Sequence, residues 1–145
     1  MAPLAALSPR EASIFACLAD AVVAPEPALP PVSQTDAVAF FDRWMARSPR
    51  TNRMALRALL YALEAGPRLL GFGARMRRLS PERRAEYLGA IEQSRIPQLR
   101  QLAKLLQGFG QLAYYGDDRV MLRLGYDAEA NVARGRALRA RDGRP

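Results

Sequence analysis

Apolar residues recur along this chain every three or four positions, in runs broken by proline and glycine. Ser8-Pro9-Arg10-Glu11 opens the first run. Ser8 is a favoured N-cap, Pro9 suits the first helical position, and Glu11 completes a capping box. Ile14, Phe15, Leu18, Ala21 and Val22 then fall on one helical face, up to a stop before Pro25. Residues 25–33 contain four prolines, a density that excludes helix and central strand and predicts an extended surface connector. Thr35 or Ser33 can cap a second helix to about Arg47, with Val38, Phe41, Trp44 and Met45 inward and Pro49 ending it. A third helix is predicted from about Thr51 to Ala65, with Met54, Leu56, Leu59, Leu60 and Leu63 inward and Gly66-Pro67 as its stop.

Residues 67–78 predict a shorter, looser helix, weakened at Gly71 and Gly73 by about 1 kcal/mol each relative to Ala. Leu79-Ser80-Pro81-Glu82 repeats the opening device, with Tyr87, Leu88 and Ile91 inward. From Pro97 to Tyr115 the period is cleanest: Leu99, Leu102, Leu105 or Leu106, Phe109, Leu112 and Ala113. Asp117 can cap a following short helix, which Gly125 can close by taking positive φ. Beyond Asp127 the pattern dissolves, and residues 128–145, with five arginines, predict an extended or disordered basic tail. No useful stretch alternates as a strand would. The expected fold is all-α: a compact bundle of five to seven helices in a single domain over 1–127, a proline-rich connector on its outside, and a C-terminal tail over 128–145.

Composition changes the picture mainly by what it excludes. The chain has no histidine and one cysteine, Cys17. Missing histidine removes the commonest general base, the commonest metal ligand and every Ser-His or Cys-His nucleophile pair. A lone cysteine permits no intrachain disulfide and makes a structural metal site improbable. No catalytic, cofactor-binding or metal-ligating residue is assigned. The start of the chain shows no charged n-region and no leader pattern, and no apolar run approaches the ~20 residues a membrane span needs, so a cytoplasmic protein is expected.

Charge is uneven. Residues 1–42 hold one arginine and five acids, residues 43–84 eleven arginines and two acids, and lysine occurs only at Lys104. The middle third can therefore present a positive surface. Arg43 and Arg47, and likewise Arg53 and Arg57, stand four apart, so each pair shares a helix face. Most such charge is a solvated face; docking to an acidic partner is the sharper reading. Tyr114 and Tyr115 cannot point the same way on a helix, so one packs inward while its neighbour meets solvent or a partner. With Tyr126 they are candidate partner contacts, since tyrosine is enriched at interfaces. Trp44 reads as core, Cys17 as an inert buried thiol, and Asp117-Asp118 as a helix cap rather than an acid–base pair. Gly71-Phe72-Gly73 lacks the preceding strand and third glycine of a dinucleotide loop.

Two stretches carry a family resemblance. Tyr114-Tyr115-Gly116-Asp117-Asp118-Arg119-Val120, running on to Leu124-Gly125-Tyr126-Asp127, is similar to the closing "YY…D…V…LGY" of the gluconate 2-dehydrogenase subunit 3 family. Leu7-Ser8-Pro9-Arg10-Glu11-Ala12 with Leu18-Ala19-Asp20-Ala21-Val22-Val23 resembles that family's opening "LTPxEA…LADAIxP". The resemblance spans roughly Leu7 to Asp127. It implies a non-catalytic accessory subunit that binds, stabilises or helps fold a large FAD-dependent oxidoreductase of the glucose-methanol-choline type acting on a sugar, steroid or alcohol. The FAD would sit in that partner and no cofactor in this chain. Family members often carry a twin-arginine leader, from which this start departs. The alternatives are a helical nucleic-acid-binding protein using the Arg-rich middle, and a small cofactor-free enzyme working with Tyr, Asp and Arg.

Overall fold

A computed structural model describes residues 4–141. Among them are seven α-helices: α1 (Pro9–Val23), α2 (Ala37–Arg47), α3 (Arg50–Leu69), α4 (Pro81–Glu92), α5 (Pro97–Tyr115), α6 (Asp118–Arg123) and α7 (Ala128–Arg141). Two 3-10 turns, Val32–Gln34 and Met76–Arg78, complete the regular structure. No helix among the described residues is long and apolar enough to cross a membrane.

Helix α1 is the hub, packing against α2, α3, α4 and α5. Ile14, Phe15, Leu18 and Ala19 are all fully buried. The capping box forms as the sequence predicts: Ser8 Oγ accepts from the Glu11 amide at 3.2 Å, and Glu11 accepts from the Ser8 amide at 2.8 Å. Phe15 stacks on Phe41 of α2 with centroids 4.0 Å apart. Against α5, α1 approaches so closely that a Cβ on Gly110 would lie 3.3 Å from the Ala19 Cα.

Four departures from the sequence reading have physical causes. First, α3 does not stop at Gly66-Pro67 but runs through both to Leu69. Pro67 has no N–H to give the Leu63 carbonyl one turn back. The buried Tyr87 hydroxyl donates to that carbonyl instead, at 3.0 Å. Gly66 makes room, because a Cβ there would fall 2.3 Å from the same hydroxyl oxygen. Within α3, Leu56, Leu60 and Leu63 are buried as expected, but Met54 is 61% exposed.

Second, residues 70–75 form a loop rather than a helix, with Gly71 and Gly73 at φ +82° and +78°. Third, α5 is rotated from its expected register. It buries Ala103, Leu106, Gly110, Ala113 and Tyr114, whereas Leu99, Leu102, Leu105 and Leu112 are exposed. The close crossing with α1 selects the small-residue face. Fourth, the expected extended tail is helical over Ala128–Arg141. Its Ala, Arg and Leu content favours helix, and Asp127 Oδ1 accepts from the Ala130 amide at 2.9 Å as an N-cap. Residues 142–145 lie outside the described residues.

Helix α6 follows expectation. Asp117 Oδ1 accepts from the Arg119 amide at 2.9 Å. At the other end the Tyr126 amide reaches the Met121 carbonyl and the Gly125 amide the Leu122 carbonyl, with Gly125 at φ +69°, a Schellman closure.

Candidate partner-binding surface

The tyrosines divide. Tyr114 is fully buried and its hydroxyl donates to the Pro30 carbonyl at 2.7 Å. Burial, then neighbouring Tyr115 and Asp117, push its pKa above the ordinary phenol value. It fastens the proline-rich connector to the bundle and presents nothing to a partner, which corrects its assignment as a contact. Tyr115 packs edge-on against it and stays 44% exposed. Tyr126 is likewise about half exposed.

The Tyr-Tyr-Gly-Asp-Asp-Arg-Val stretch acts as a set of fasteners. Besides capping α6, buried Asp117 accepts from the Asp36 amide through Oδ2 at 2.6 Å, fixing the start of α2. Arg119 donates to the Gln34 carbonyl. Thr35, with Ser33 a candidate cap for α2, donates to the Val32 carbonyl at 2.8 Å and accepts from the Ala37 amide at 3.4 Å, while Asp36 occupies the N-cap position.

The arginine pairs also divide. Arg43 and Arg47 are exposed on α2, beside half-buried Trp44. Arg57 of α3 turns inward instead: its Nε lies 3.2 Å from Glu11 Oε1, and a terminal nitrogen donates to the Ala6 carbonyl. Arg53, four residues earlier, is half-buried. The structure thus gives the α2 pair a free surface and gives Arg57 a structural post.

Sequence reasoning missed the buried acids. Asp42 accepts from three consecutive amides, Ala5, Ala6 and Leu7, at 2.8, 2.9 and 2.8 Å. Burial alone would raise its pKa, but the three N–H groups outweigh that and hold it below the ordinary carboxylate value. Glu64 accepts from the Arg77 amide at 3.2 Å and from Arg77 Nε at 3.0 Å, anchoring the loop after α3. Cys17 is half-buried, and burial raises its thiol pKa although Arg84 pulls the other way. Each buried acid ties down a terminus or a loop, and none lines the hollows along α7.

The hollows along α7, lined by Tyr126, Asn131, Val132, Gly135, Arg136 and Arg139, are open to solvent. Among the described residues no three His, Cys, Asp or Glu side chains gather as a metal site.

What the bundle does leave uncovered is apolar. On α5, Leu102, Leu105 and Leu112 are 39, 48 and 58% exposed. Phe109 stands in the same row, half-buried, its ring 4.5 Å from that of Trp44. The row therefore continues onto α2. The sequence did contain a signal for it: α5 has more large apolar positions than one face can hold, because Leu105 and Leu106 are adjacent. No family model matches this chain, nor does any curated protein or solved structure.

Proposed function

We propose that this chain is a non-catalytic accessory subunit that binds and stabilises a large FAD-dependent oxidoreductase of the glucose-methanol-choline type. The observation that carries the binding half of this reading is the uncovered row on α5. Contiguous exposed apolar surface marks interaction sites in stable domains, and here a well-packed core accompanies it. The identity of the partner rests on the sequence resemblance at Leu7–Val23 and Tyr114–Asp127. The absence of histidine from the whole chain supports a non-catalytic role. Flavin and catalytic groups would belong to the partner, and complex formation would cover apolar surface on both chains. Exposed Arg43 and Arg47 suit an acidic patch on the partner and would steer association.

The test is affinity capture of the tagged chain from its native host, read by mass spectrometry and by flavin absorbance. A yellow complex with a large FAD oxidoreductase is expected, and the chain alone should be colourless. A bound flavin in the isolated chain, or a chain that co-purifies with nothing, would overturn the reading. Binding to DNA with steep salt dependence would favour the nucleic-acid alternative.

A further inference from the structure

From the geometry of α5 and α2 we infer that the docking site is a helix-receiving seam, and that its occupant is an amphipathic helix of another protein, with Asp or Glu bordering its apolar face. This deepens the accessory-subunit reading and rests on it for the partner being a protein.

Spacing points to a helix. Leu102, Leu105, Phe109 and Leu112 are separated by three, four and three residues, the seam pattern into which a second helix packs its own side chains. Gly108 stands on the adjoining outer face of α5, one turn from both Leu105 and Leu112, with nothing within 4 Å of where a Cβ would be. An exposed mid-helix glycine weakens a helix, and no contact among the described residues requires it. It lets a neighbouring backbone come close.

Charge selects among occupants. Helix α5 contains no acid. The one acid of α2, Asp42, is buried and already accepts three amides. The exposed charges of the two helices, Arg43, Arg47 and Lys104, are therefore all cations. A second copy would set these cations against their equals. The chain's own α7, with four arginines and one acid, would do the same. Both are disfavoured, and a helix edged with carboxylates is favoured. An anionic lipid surface would meet the same cations, and the vesicle measurement below separates it from an acidic helix.

The experiment places a photo-crosslinking phenylalanine analogue at position 105 of the full-length tagged chain in its native host. Cross-linked peptides are then sequenced. In parallel, the double variants Leu105→Gln/Leu112→Gln and Arg43→Glu/Arg47→Glu are compared in capture. Both alter exposed side chains, so matching circular dichroism melts establish that they fold. The expected result is one partner segment with an apolar helical face and flanking acids, and capture reduced about tenfold or more by each pair. A cross-link to a second copy of this chain, a segment without acids, unchanged capture in either variant, or sedimentation with anionic phosphatidylglycerol vesicles would overturn the inference. A colourless partner captured through an acidic helix would retain the inference and remove the flavoprotein reading. A flavoprotein captured equally by all variants would do the reverse.

Discussion

At the scale of single residues, the fold is held at its edges by acids that the sequence offers no reason to single out. Asp42 lies on a helix the hydrophobic period already explains, yet it anchors the segment before α1 through the amides of Ala5, Ala6 and Leu7. Hydrogen bonds to charged groups contribute ~1.5–3 kcal/mol each, and three on one carboxylate give less than their sum. Asp42→Ala should therefore lower unfolding free energy by roughly 2–3 kcal/mol, measured by urea titration. It should also speed tryptic cleavage at Arg10. A loss under ~0.5 kcal/mol, the level of an ordinary surface change, would show that the three bonds merely replace water. Ala24 offers a change of opposite sign. It closes α1 at φ +41°, a conformation that costs a residue with a Cβ roughly 1 kcal/mol. Ala24→Gly should raise the melting temperature by several degrees, and an unchanged or lower melting temperature would mean the surroundings already offset that cost.

At the scale of elements, most helices were legible and their limits were not. Both Ser-Pro starts capped α1 and α4 as read, because capping is local and needs no tertiary partner. The Gly66-Pro67 stop failed because its remedy, the Tyr87 hydroxyl, lies 24 residues away from Leu63 in sequence. The register of α5 was misread because two apolar faces compete in one helix. Side-chain size favoured the leucine face, whereas backbone proximity to α1 favoured the small one. The same misreading concealed the candidate site, which consists of the very leucines expected in the core.

The Tyr87–Pro67 relation is open to a double-mutant cycle. Tyr87→Phe orphans a buried carbonyl and should cost about 1–2 kcal/mol. In a Pro67→Ala background the restored N–H can serve that carbonyl, so the same change should cost less than half as much. Additive losses would refute this account. Helix α7 stands apart, since none of its described side chains belongs to the buried core. Truncation after Asp127 should leave the melting temperature within about 2 °C, because exposed residues contribute little to stability. A larger fall would mean that α7 packs on the bundle in solution.

At the scale of the whole molecule, charge is sorted by depth. The acids Glu11, Asp42, Glu64 and Asp117 are withdrawn into structural posts, while most arginines remain outside. The consequence is an asymmetric response to pH. Asp42 is held below its ordinary value of 3.8 in the folded chain. A depressed carboxyl binds fewer protons folded than unfolded, so its contribution is complete above the ordinary value and drains away as pH falls through the folded one. With no histidine in the chain, the side chain that ordinarily titrates between pH 5 and 8 is missing. Stability should therefore be nearly flat from pH 8 to 5 and fall below about 4. In Asp42→Asn the acid limb should be shallower, and the wild-type advantage should shrink steadily as pH drops past 3.8. Chemical denaturation at half-unit intervals from pH 5 to 2 would resolve the two curves. An advantage that persists undiminished at the acid end would mean that the amide contacts tolerate protonation, and that the start of the chain is held by packing of Leu7 rather than by the Asp42 charge.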